Sequence, residues 1–135
     1  MFEYYVKKVS KVVDGDTIDV DIDLGFDISF SSRVRLAGID TPESRTTDRM
    51  EKSLGIESKD YLKKAIDASK TVVIKTEKMD SSEKYGRILG WVFLDGSEIS
   101  INQKMIDEGY AWGYMGETKI KDFVALAEKR KSKKK

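Results

Sequence analysis

The sequence predicts a β-rich α+β domain of five strands and about three helices, in the order βββ-α-ββ-α-α. Three observations predict it. In residues 17–24, Ile18, Val20, Ile22 and Leu24 alternate with Asp19, Asp21 and Asp23, the period of a strand with one buried and one wet face. Apolar residues recur at helical spacing at Tyr61, Leu62, Ala65 and Ile66, and again at Ile120, Phe123, Val124 and Ala127. The length, 135 residues, is that of one domain and suffices for a core without covalent staples.

The first strand is read from the aromatic and β-branched run Tyr4–Val13, and Asp14-Gly15 turns it into the second, Thr17–Leu24. A turn near Leu24-Gly25 leads to the third strand, in which Phe26, Ile28 and Phe30 continue the even-numbered apolar set before Val34 and Leu36. Residues 44–53 have no period and read as a mobile loop. A helix is expected at about 56–68 and a β-branched strand over Thr71–Glu77. The apolar run Ile88–Leu94 suits a strand covered on both faces, and Asp95-Gly96 turns out of it. Ser100, with Gln103 three residues on, forms a capping box that opens a second helix, and Gly109 suits its C-terminal cap. The domain is expected to span 1–128. The run 129–135 follows as a basic tail, either a frayed and solvated helix end or an extra electrostatic handle for an anionic substrate.

Composition narrows the chemistry. Without cysteine or histidine there can be no disulfide, thiolate nucleophile, imidazole base or zinc site of the usual kind. Catalysis must rest on carboxylates, Arg, Lys, Tyr and hydroxyls, and carboxylates favour hard cations such as Ca²⁺ or Mg²⁺. The chain has 25 basic and 24 acidic residues, but 6 of the basic ones lie in 129–135, so the body is acidic and is no general polyanion binder. The longest apolar stretches fall short of a membrane span. Met1–Lys8 lacks a basic segment followed by an apolar one, so a cytoplasmic chain is expected, with a processed secreted form as the alternative.

Three segments are candidates for chemistry. Asp14-Gly15-Asp16-Thr17 is first a hairpin turn, but Asp16 shares parity with Ile18 and Val20, which aims its carboxylate at the apolar side of the sheet, where a cation is a fitting partner. Arg35-Leu36-Ala37-Gly38-Ile39-Asp40-Thr41-Pro42-Glu43 is first a strand running into a turn, yet two carboxylates, an arginine and a threonine crowd into nine residues. Asp40 can join Asp16 on a hard cation, and Glu43 is placed to reach a neighbouring water. Lys84-Tyr85-Gly86-Arg87 is a polar turn before a buried strand, or a phosphate grip built on the planar donors of Arg. Arg33 and Arg35 share strand parity, and spacing leaves open which of them reaches a phosphate. Asp14 reads as a turn residue or as an outer neighbour of a metal. Asp19, Asp21 and Asp23 read as a solvated acidic face.

Together, in this order and on this strand pattern, the D-G-D-T, R-L-x-x-x-D-T-P-E and K-Y-G-R runs resemble the staphylococcal nuclease family, from about Val6 to Ala127. The resemblance implies an OB-fold barrel and a calcium-dependent nuclease that cleaves DNA or RNA at the bond between phosphorus and the 5′ oxygen, leaving 3′-phosphate ends. It implies Asp16, Asp40 and the Thr41 carbonyl as ligands of one Ca²⁺, and Glu43 as general base or orienter of water. It selects Arg35, with Arg87, to hold the scissile phosphate, and implies Lys84 and Tyr85 as contacts to a neighbouring phosphate. Tyr114 is the candidate for stacking on a base, with Trp112 as a competitor that equally suits the core. A monomer is expected. The alternatives are a non-catalytic OB-fold nucleic-acid-binding module and a protein-interaction domain.

Overall fold

The structure, a computed structural model, describes residues 2–77, 88–114 and 122–133. Its elements are β1 (Phe2–Asp14), β2 (Thr17–Asp23), β3 (Ser29–Leu36), β4 (Ile39–Asp40), α1 (Arg49–Asp67), β5 (Val72–Thr76), β6 (Ile88–Leu94), α2 (Ile101–Asp107), β7 (Trp112–Gly113) and α3 (Phe123–Lys133). Five strands form a closed barrel in the order β1-β2-β3-β6-β5, with β5 returning to pair antiparallel with β1. Among the described residues only β3 and β6 pair in parallel, Val34 beside Ile88 through Leu36 beside Gly90. Closure removes the free edges that an open sheet of this size would present.

The core follows the predicted parity. Ile18, Val20, Ile22, Val34, Leu36, Ile74 and Val92 fill the barrel, and Leu62, Ile66, Ile101 and Met105 close it from the helices. On the outer face the acidic residues of β2 meet β3: Asp19 pairs with Arg33 at 2.8 Å, and Asp21 accepts from the Ser31 hydroxyl at 2.6 Å.

The structure departs from the expected elements in five places. Helix α1 begins at Arg49, inside the predicted loop, because Asp48 caps it and accepts from the Glu51 backbone N–H at 3.0 Å. The apolar residues expected at the start of the third strand are exposed: Phe26 and Ile28 lie in the β2–β3 connection, Phe26 in its turn at 97% exposure, and Phe30 lies on the part of β3 that runs past the barrel, since β3 meets β6 only from Val34 onward. β6 is buried on one side only, through Gly90 and Val92, while Leu89 is exposed. The two-residue pair β4–β7 was not anticipated. In α2 the capping box is half made: Ser100 Oγ accepts from Gln103 N at 3.1 Å, but the Gln103 amide turns forward to Asp107 at 2.9 Å.

Candidate active site

Asp16 lies in the turn between β1 and β2 and is fixed on several sides. Its carbonyl accepts from Leu36 N at 2.8 Å. Its carboxylate accepts from the Thr17 hydroxyl at 2.9 Å and from Thr41 N at 3.3 Å. Arg35, at the end of β3, directs Nη2 to 3.5 Å from both Asp16 Oδ2 and Asp40 Oδ1, while Nη1 donates to the Leu36 carbonyl at 2.9 Å. All three side chains are largely withdrawn from solvent. The ambiguity between the two arginines is thereby resolved in position: Arg33 faces solvent against Asp19, and Arg35 faces the two aspartates.

Asp40 is brought there by a short relay. The chain leaves β3 through Ala37-Gly38, where Gly38 takes φ +76°, a conformation open to glycine at little cost. It then forms β4, whose Asp40 lies opposite Trp112 of β7. Asn102 braces the relay from α2, donating to the Ala37 and Gly90 carbonyls and accepting from Val92 N. Thr41 and Pro42 follow, both buried, and Glu43 is exposed.

Helix α1 presses on both halves of this cluster. A Cβ at Gly55 would collide with the Glu43 carbonyl oxygen and lie 2.7 Å from that of Pro42. A Cβ at Gly15 would lie 2.9 Å from Ser58 Cβ and 3.0 Å from Thr41 Oγ1. Glycine is needed at both positions for space, so the Asp16 turn and the Thr41–Glu43 segment share one rigid wall. The Glu43 N–H donates to Glu51 at 3.2 Å, a further tie to α1.

The two aspartates and the arginine form an unbalanced group, two carboxylates against one guanidinium. Thr41 Oγ1 beside them is buried with no hydrogen-bond partner among the described residues. No group of three or more Asp or Glu side chains placed to hold a metal ion occurs among the described residues. Asp14 is a half-buried neighbour rather than a free turn residue. Burial, and then the nearby Asp16 charge, push its carboxyl above the usual carboxylate range, against the lowering effect of hydrogen bonds from Ser44 and Gly15.

Trp112 and Tyr114 separate in the structure. Trp112 packs edge-on against Phe123 at 5.5 Å and donates from Nε1 to the Asp122 carbonyl at 3.4 Å, which commits it to α3. Tyr114 is half-buried, and its N–H donates to the Gly38 carbonyl at 2.8 Å, beside the relay that carries Asp40. The expectations for Lys84, Tyr85 and Arg87 fall outside the described residues.

Sequence reasoning did not single out Gly55, Ser58, Asn102 or Arg130. Arg130 belongs to the basic run expected to be solvated, yet it is 3% exposed, on a helix that continues to Lys133. Burial pushes its pKa down, and Glu57 opposes that shift. No helix among the described residues is long and apolar enough to cross a membrane.

A family model described as staphylococcal nuclease homologue matches residues 33–135. A thermonuclease of Staphylococcus intermedius is 34% identical over 93% of this chain and 71% of its own length, and one of Staphylococcus hyicus is 33% identical over 93% and 70%. An uncharacterized protein of Methanocaldococcus jannaschii is 28% identical over 89% of this chain, which spans 64% of that relative. The chain belongs to the staphylococcal nuclease homologue family.

Proposed function

We propose that the chain is a calcium-dependent nuclease that hydrolyses phosphodiester bonds of DNA, RNA or both with low sequence specificity, leaving 3′-phosphate ends. The observation that carries this is the Arg35 guanidinium 3.5 Å from each of the Asp16 and Asp40 carboxylates, on a wall that also seats Glu43. Membership of a family with relatives named thermonucleases supports it.

The donors fit a hard divalent cation. Asp16 and Asp40 would hold it, with the Thr41 carbonyl and water completing an oxygen shell of the kind Ca²⁺ accepts. When bound, Ca²⁺ supplies charge that offsets the negative charge building on the phosphate oxygens during attack. The remaining work falls to side chains. Arg35 lies beyond tight ion-pair distance from either aspartate, which leaves its fork able to turn N–H donors to a non-bridging phosphate oxygen. Arg87 is assigned the second such fork. Glu43 orients the attacking water and takes its proton. As the water oxygen bonds to phosphorus, the P–O5′ bond breaks and the 5′ oxygen takes a proton from solvent to leave as a hydroxyl, in exchange for the proton that Glu43 releases to solvent. Lys84 and Tyr85 hold a neighbouring phosphate. Tyr114 stacks on a base, a contact tolerant of base identity.

Single-stranded DNA incubated with the protein in Ca²⁺, with a chelator control, tests the proposal. Degradation that stops on chelation, with products refractory to 3′ extension until treated with a phosphatase, is expected. A gel shift without cleavage would identify a binding module instead, and no response at all a protein-interaction domain.

A further inference from the structure

We infer that Arg130 is a positioning residue for this reaction, fixing α1 as the wall against which the Asp16 turn and the Thr41–Glu43 segment are set; the inference rests on the nuclease function proposed above. Arg130 ties α3 to α1 and to the chain after α2. Nε donates to the Gly109 carbonyl at 3.1 Å, Nη1 to the Leu54 carbonyl at 3.3 Å and to Glu57 at 3.1 Å, and Nη2 to the Ser58 hydroxyl at 3.1 Å. The guanidinium also lies over the Tyr110 ring, 4.2 Å from its centre. Ser58 in turn donates to the Tyr110 carbonyl at 2.7 Å, so the network closes on itself.

The α1 turn held in this way is the one that touches the site. Arg130 bonds to Leu54, Glu57 and Ser58. Gly55, in the same turn, meets the carbonyls of Pro42 and Glu43, and Ser58 meets Gly15 next to Asp16. Only Leu126 and Arg130 of α3 are buried, so this guanidinium is the principal polar anchor of the helix. Five donors in a planar fork are what so many acceptors require. A lysine could satisfy some of them but not all at once. Displacement of α1 by a fraction of an ångström would carry Glu43 and Asp16 with it, and misplacement of about 1 Å can cost about 100-fold in rate.

The test compares Arg130→Met, which keeps an unbranched apolar side chain but removes the fork, with Arg130→Lys and with Lys131→Ala, the loss of an exposed cation from the same helix. Cleavage of single-stranded DNA is measured in saturating Ca²⁺ well below the melting temperature of each variant. In Arg130→Met, kcat per folded molecule is expected to fall about 10- to 100-fold with KM changed less than about threefold. Arg130→Lys should recover part of the loss, and Lys131→Ala should match the parent. The backbone amide resonances of Gly15, Thr41 and Glu43 should move in Arg130→Met without substrate present. An unchanged kcat, or a fall in kcat without those amide shifts, overturns the inference. Should Arg130→Met fail to fold, Arg130→Lys decides by the same criteria. Absence of cleavage by the parent chain overturns the proposed function and this inference together, whereas active parent with equally active variants overturns this inference alone.

Discussion

Asn102 on α2 donates to the carbonyl of Ala37, 65 residues earlier in the chain, at 2.8 Å. The same amide serves the Gly90 carbonyl and Val92 N–H, so one buried side chain satisfies backbone groups on β6 and at the exit of β3. Asn102→Ala removes the side-chain partners of the Ala37 carbonyl and the Val92 N–H, while the Gly90 carbonyl keeps the Ala37 N–H at 2.8 Å, and should destabilise the protein by about 2–4 kcal/mol, read from the urea midpoint at constant m-value. A change below about 0.5 kcal/mol would mean that the relay to Asp40 holds without the brace.

Gly55→Ala tests the close approach of α1 to the site. On propensity alone, alanine in a helix interior is favoured over glycine by about 1 kcal/mol. Here the new methyl would meet the Glu43 and Pro42 carbonyls, which are backbone and have little freedom to retreat. The variant should melt at a lower temperature than the parent and cleave more slowly even where fully folded. A rise in melting temperature would show that Pro42–Glu43 can move away from α1.

The outer face of the barrel should respond to acid. Hydrogen bonding with Arg33 holds the Asp19 carboxyl below its ordinary value of 3.8 in the folded protein. The sign follows: the pair's stabilisation is fully present above the unfolded value and is lost as pH falls through the lower folded one. Both side chains are substantially exposed, so the contribution is at most about 1 kcal/mol at low salt. Asp19→Asn should therefore lower stability slightly at pH 7, and the difference from the parent should shrink as the pH is taken below 3.8. A difference that grows on acidification would contradict the assignment.

Arg35→Ala should slow turnover by about 100-fold or more, as loss of a donor to developing charge does elsewhere. Glu43→Gln should keep calcium affinity, measured by calorimetry, while losing most activity. An equally fast Arg35→Ala or Glu43→Gln would remove that side chain from the mechanism.

The barrel core was legible in the sequence because it follows strand parity, as Ile18, Val20 and Ile22 show. Asp16 lies in the turn before β2, and what places its carboxylate is the approach of Arg35 and of the Thr41 N–H, which parity does not encode. Parity could not separate Arg33 from Arg35. What separates them is where β3 leaves the hairpin and meets β6, a long-range pairing. It equally could not place Phe30, since alternation records which side a residue faces and not whether anything covers that side, nor show that Phe26 and Ile28 fall in the connection before β3. The start of α1 was missed because 44–53 lacks an apolar stripe; its only signal was Asp48 three residues before Glu51. Strands β4 and β7, two residues each, are too short to carry a period. Arg130 gave no sign within a run of basic residues, and only its spacing of four from buried Leu126 marks it afterwards.

The calcium dependence of cleavage by the parent chain and by Asp40→Asn is the most direct measurement. A parent rate that saturates with Ca²⁺, vanishes with chelator and returns on resupply is expected, together with an Asp40→Asn variant that needs far more Ca²⁺ or stays inactive. Cleavage indifferent to chelation, or an Asp40→Asn variant with the parent's calcium response, would contradict a centre built on Asp16, Asp40 and Arg35.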